Sequence, residues 1–110
     1  MTETSVARGV ASLERKTPDA DSTLVLLHEP DYSDRVPPPA ALVLSGHSHG
    51  GEICLPGGIP LYTPNGSKHY QSGYYGYAPT PVYVNRGTAT LGPGRMYCPP
   101  EVAIFTLRGT

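Results

Sequence analysis

Apolar residues come in short bursts along this chain, and the bursts differ in period. Val6, Val10 and Leu13 recur at helical spacing with Ala7 and Ala11 beside them, which predicts a helix over residues 5–16. Thr4 or Ser5 would cap its start, Arg15 and Lys16 suit its negative C-terminal end, and Pro18 stops it. Residues 23–27 and 41–45 are apolar without alternation, the pattern of strands covered on both faces. Residues 52–55 read as a third strand and Val82–Val84 as a fourth. Residues 101–107 read as a fifth, because Val102, Ile104 and Thr106 alternate with Ala103, Phe105 and Leu107 and both sets are largely apolar. One helix followed by strands gives an α/β class. It also leaves one sheet face poorly covered, which suggests part of a larger domain.

Between the bursts the punctuation is uneven. Before Val36 the only breakers are Gly9, Pro18 and Pro30, although the chain holds 13 Gly and 13 Pro. Pro37-Pro38-Pro39 reads as a stiff connector, and residues 56–80 as an irregular Tyr/Gly/Pro-rich loop with turn signals such as Pro64-Asn65-Gly66. The organisation expected over 1–110 is a single, partial domain. It comprises a helix at 5–16, strands and loops carrying candidate ligands at 23–55, the long loop at 56–80, and closing strands at 81–107.

Charge narrows the function classes. A formal net charge of −1 and 15% charged residues give no electrostatic footprint for nucleic acid. No apolar stretch reaches membrane-spanning length, and Met1-Thr2-Glu3-Thr4 lacks the basic flank of a signal peptide. Cys54 and Cys98 form no CxxC pair; reduced, buried thiols are the default, with a disulfide between them left open. A soluble, cytoplasmic chain is expected on these grounds.

Histidine placement carries the chemistry. His28, in Leu27-His28-Glu29-Pro30, follows the first buried run. Gly46-His47-Ser48-His49-Gly50-Gly51 follows the second. Both groups therefore sit where a strand stops, the edge at which open α/β sheets bind ligands. Imidazole is the commonest protein metal ligand near neutral pH, and the three glycines permit a tight turn around His47 and His49. Together the three histidines suggest a divalent-metal site and metal-assisted hydrolysis. A lone histidine at such a position would more often be a satisfied core residue. His69, in a polar stretch, reads as exposed.

Residues 24–31 (Leu-Val-Leu-Leu-His-Glu-Pro-Asp), 42–64, 82–87 and 94–102 resemble the calcineurin-like metallophosphoesterases, in the bacterial phosphodiesterase and phosphohydrolase branch. The resemblance runs from about residue 5 over nearly the whole chain. It implies part of an α-β-β-α sandwich and two divalent ions (Mn, Fe, Zn or similar) in the intact family. His28 and His47 would ligate one ion and His49 the other, acting on a phosphate-ester substrate. The branch also hints at work near a membrane.

The family's Asp-x-His, Gly-Asp-x-x-Asp and Gly-Asn-His-Asp/Glu motifs do not occur here. These supply the bridging carboxylate, further ligands and the histidine taken as general acid. The likeness is therefore to the C-terminal half: no catalytic residue is identifiable, fewer ions or none are expected, and activity alone is not. A separately made N-terminal half or self-association would complete the site. The alternatives are a truncated, non-catalytic fragment and a single-metal binding module with the Tyr-rich loop as contact surface. Turn formation and surface position explain Glu29, Asp31 and Asp34 better than ligation does. Tyr70, Tyr74 and Tyr75 read as packing under the long loop rather than lining a cleft. Arg86 and Arg95 are open between phosphate contact and salt bridging.

Overall fold

The computed structural model describes residues 3–16, 22–36, 40–90 and 94–109. The expected stop at Pro18 and the Pro37-Pro38-Pro39 connector lie outside them. Helix α1 spans Glu3–Lys16 and so begins two residues earlier than the apolar spacing predicts. Thr4 and Ser5 therefore lie inside it and do not cap it.

Strands β1 (Leu24–Leu27) and β2 (Leu42–Ser45) form where the apolar runs predict them. They pair in parallel, Leu24 opposite Leu42 through Leu27 opposite Ser45. Cys54–Leu55 forms β3 and pairs antiparallel with β4, Ile59–Pro60, in a separate two-stranded ribbon. The strand expected at 52–55 is thus shorter and does not join the main sheet. Gly73–Tyr75 forms β5 and Val82–Val84 forms β6. The main sheet runs β1-β2-β6-β5, with β6 parallel to β2 and β5 antiparallel at the edge.

Val25, Val43, Val82 and Val84 point to one face and form the core with Val36, Tyr70 and Ala78. On the strand positions between them lie Leu24 and Leu26, and Leu26 is 80% exposed. Burial on both faces, expected for β1, is therefore not observed, and the poorly covered face anticipated from the single helix is present. No strand forms at 101–107. Apolar alternation does not by itself supply an edge to pair with. In this segment the Glu101 N–H donates to the Gly87 carbonyl (2.8 Å), and Phe105 lies edge-on against Tyr83 at 5.0 Å. Val102, Ile104 and Leu107 are exposed.

Glu101 anchors the segment. Its carboxylate accepts from the Arg86 backbone N–H (3.0 Å) and from the Tyr83 hydroxyl, with the Arg86 guanidinium 3.8 Å away. Burial pushes the Glu101 carboxyl up, but the Arg86 N–H, the Tyr83 hydroxyl and the Arg86 charge outweigh it, so it sits below the usual glutamate range. The same hydrogen bond, with burial, pushes Tyr83 up. A carboxyl lowered in the folded state stabilises the fold above its unfolded value, and the contribution disappears as pH falls through the folded value. Stability is therefore expected to decline below about pH 4.3, the ordinary glutamate value. In urea titrations across that range Glu101→Gln should flatten the slope; an unchanged slope would remove Glu101 as its source.

The reduced-thiol default is overturned. Cys54 and Cys98 are disulfide-bonded, with Cα atoms 6.0 Å apart, although they lie 44 positions apart in sequence. The cause is the pairing of the two segments: Cys54 N–H donates to the Met96 carbonyl (2.8 Å), Met96 N–H to Glu52 (2.7 Å), and Ile53 bridges to Met96 and Tyr97. No helix among the described residues is long and apolar enough to cross a membrane.

Candidate metal centre

The parallel pairing of β1 and β2 fixes the site. With Leu27 opposite Ser45, the residues that follow emerge side by side at the C-terminal edge of the sheet. The Ser45 hydroxyl donates to the Leu27 carbonyl (2.6 Å) and closes the strand ends together. His28 and His47 meet there, with ring centroids 4.7 Å apart and planes inclined by 55°. These two histidines, far apart in sequence, are thus brought together as expected. His49 lies two residues on, in the 3₁₀ turn His49–Gly51. His69 is exposed, also as expected.

The loop backbone is unusual. Glycine was expected to absorb the tight turn, and Gly50 (φ +66°) and Gly51 (φ +90°) do so. His47 (φ +67°), His49 (φ +52°) and Glu52 (φ +52°) are left-handed as well, whereas Gly46 is not. Such a conformation costs a non-glycine residue about 1–2 kcal/mol, so the fold over-determines both histidines. Gly50 also allows close approach: a Cβ there would fall 2.7 Å from Arg86 Cγ, and one at Gly51 would overlap Pro60.

Each loop histidine has one ring nitrogen engaged. His47 Nε2 lies 2.8 Å from the Asn65 carbonyl oxygen, which can only accept, so Nε2 carries a hydrogen and, in the neutral ring, Nδ1 keeps its lone pair. His49 Nδ1 lies 2.7 Å from Glu52 Oε1, which leaves Nε2 in the same position. A carbonyl or carboxylate behind the ring is the usual companion of a ligating histidine, because it fixes tautomer and orientation. The donor chemistry therefore fits a divalent ion at each of these histidines. Among the described residues, no three His, Cys, Asp or Glu side chains gather closely enough to enclose an ion by themselves.

A cleft of about 320 Å³ opens beside the loop, lined by His47, Ser48, His49, Gly51, Glu52, Tyr62 and Pro64. The Lys68 ammonium sits 4.8 Å from the Tyr62 ring centroid and donates to the Thr63 carbonyl. The two arginines open to phosphate contact are committed elsewhere. Arg95 donates to the carbonyls of His49 (2.8 Å), Arg86 (2.9 Å), Cys98 (3.1 Å), Gly87 and Ala89. Arg86 donates to Pro99 O (2.8 Å) and faces Glu101. Tyr70 is buried and donates to Asp34 (2.6 Å); burial and that bond raise its pKa to about 12. Tyr75 packs against it at 5.1 Å and its hydroxyl accepts from Gln71 and Ser72 N–H, whereas Tyr74 is 65% exposed. Packing under the loop thus describes Tyr70 and Tyr75 but not Tyr74.

Sequence reasoning missed Glu52 behind His49 and Arg95 beneath the loop. Each acts through hydrogen bonds that residue type alone does not announce.

Comparison with known proteins defines the class. Over 90 residues the chain is 43% identical to the uncharacterized metallophosphoesterase YkuE of Bacillus subtilis (strain 168), covering 80% of this chain and 32% of that protein. It is 34% identical over 85 residues to the phosphodiesterase YaeI of Escherichia coli (strain K12), covering 76% of this chain and 32% of that one. An uncharacterized metallophosphoesterase of Aquifex aeolicus (strain VF5) is 34% identical over 100 residues, 86% of this chain and 36% of the relative. No family model matches, and no solved structure does. The chain belongs to the metallophosphoesterases, as a C-terminal region of that family. It spans about a third of the length of the curated relatives it matches.

Proposed function

We propose that this chain contributes the late histidine ligands of a two-metal phosphoester hydrolase. The observation that carries the reading is the His28–His47 pair, 4.7 Å apart at neighbouring strand ends, with His49 on the same loop. His28 and His47 would hold one divalent ion and His49 the other. Ions held there would lower the pKa of a water and offset charge on a phosphoryl group under attack. The chain's own residues position and enclose. The Asn65 carbonyl and the Glu52 carboxylate set the two loop imidazoles. Tyr62 and Pro64 wall the cleft into which the ester would fit, with the Lys68 charge beside it. The remaining carboxylates would come from a preceding region of the fold or from a second chain. The open face of β1, with Leu24 and Leu26, would be covered in a two-sheet sandwich.

The test is complementation. The chain is mixed with the N-terminal two-thirds of the Bacillus subtilis relative and Mn²⁺, and hydrolysis of bis(4-nitrophenyl) phosphate is followed. Metal-dependent hydrolysis that disappears with His47→Ala is expected; no hydrolysis contradicts the reading.

A further inference from the structure

Asp31 lies three residues after His28, at the start of the 3₁₀ turn Pro30–Arg35. Its carboxylate accepts three consecutive backbone N–H groups from the middle of the long loop. Lys68 N lies 2.6 Å from Oδ2, and His69 N and Tyr70 N lie 2.9 and 3.1 Å from Oδ1. Its own N–H donates to the Gly66 carbonyl at 2.8 Å. One residue thus makes four hydrogen bonds to a five-residue stretch more than thirty positions away.

The stretch so held begins inside a tight turn. Ser67 N–H donates to Pro64 O (3.1 Å), and Gly66 stands at the third turn position with φ +91°. Asn65 is not left-handed, so the turn is type II, which requires glycine-like freedom at that third position. In a type II turn the central peptide is flipped relative to type I, and its carbonyl is that of Asn65. That carbonyl is the one His47 Nε2 meets at 2.8 Å. Glu29 closes the other side: a Cβ at Gly66 would overlap its side chain.

We propose that Asp31 is a positioning residue for the histidine pair: its carboxylate fixes the 64–70 loop so that the Asn65 carbonyl locks His47 with Nε2 protonated and Nδ1 available to an ion. The segment His28–Asp31 thereby presents one imidazole and orients the other. The part concerning an ion rests on the metal reading above; the part concerning the His47 tautomer does not.

Two readouts on the 110-residue chain separate these parts. The first is the ¹⁵N spectrum of the His47 ring in the metal-free chain in alkaline buffer. The second is zinc affinity by calorimetry. The unsubstituted chain is expected to show a single Nε2–H tautomer. Asp31→Ala should give a mixture of tautomers and weaken zinc binding by about 10- to 100-fold, the range for losing the group behind a ligating histidine. Asp31→Asn keeps an oxygen for two of the three N–H groups and opposes Lys68 N–H with a donor, so it should fall between the two in both readouts. A folded Asp31→Ala chain with unchanged tautomer and zinc affinity would overturn the proposal. Should Asp31→Ala lose its dispersed amide spectrum, Asp31→Asn decides: intermediate values support positioning, and values equal to the unsubstituted chain overturn it. An unsubstituted chain that binds no zinc would overturn the metal reading and leave the tautomer to judge Asp31.

Discussion

Reducing the Cys54–Cys98 bridge is expected to lower the stability of the chain by about 4 kcal/mol, the loop-closure value for a cross-link of this span. Small domains hold only about 5–15 kcal/mol in total, so the loss is a large share of it. It also falls on the site. The bridged segment carries Arg95, which donates to the His49 carbonyl, and Met96, whose N–H donates to the Glu52 backbone carbonyl. Glu52 in turn sets His49 Nδ1. Loosening residues 95–98 therefore removes support from beneath the histidine loop and from the backbone of Glu52, whose carboxylate stands behind His49. Urea unfolding with and without dithiothreitol, or with Cys98→Ser, measures the effect. Coincident transitions would show that the bridge contributes nothing. Titration of free thiols in the chain purified without reductant bears on its compartment as well. A persistent bridge suits an oxidising environment, and free thiols suit the cytoplasm first expected.

What was legible in the sequence follows from range. The runs at 24–27, 42–45 and 82–84 become strands because each is a short apolar burst bounded by breakers. The site's location follows from them, since a histidine directly after a parallel strand must emerge at the sheet's C-terminal edge. The Pro64-Asn65-Gly66 turn was readable for the same local reason. The failures are long-range. β5 is Gly-Tyr-Tyr, without the apolar alternation that marks a strand, and forms because β6 offers an edge. Residues 101–107 have the alternation and no such edge. Asp31 looked like a turn residue because its three N–H partners lie 37 to 39 positions downstream. Spacing alone did not pair the cysteines; the contact of residues 52–54 with 96 and 97 does. Placing left-handed geometry on glycine was half right, because the fold forces it on His47 and His49 too.

Zinc titration of the chain beside its His47→Ala variant decides whether His28, His47 and His49 act as the proposed metal ligands. His47 stands at the centre of the arrangement. It touches His28, lines the cleft and has one nitrogen set by Asn65. Removing its imidazole would delete a proposed ligand outright, so the loss of affinity should exceed the roughly 100-fold ceiling for losing a group behind one. The substitution also relieves a left-handed histidine only in part, since alanine at φ +67° remains unfavourable; amide spectra must therefore show the variant folded. The expected result is zinc bound by the unsubstituted chain and a more than 100-fold weaker affinity in the folded variant. Equal zinc affinity in the two chains, or no zinc bound by either, would contradict it.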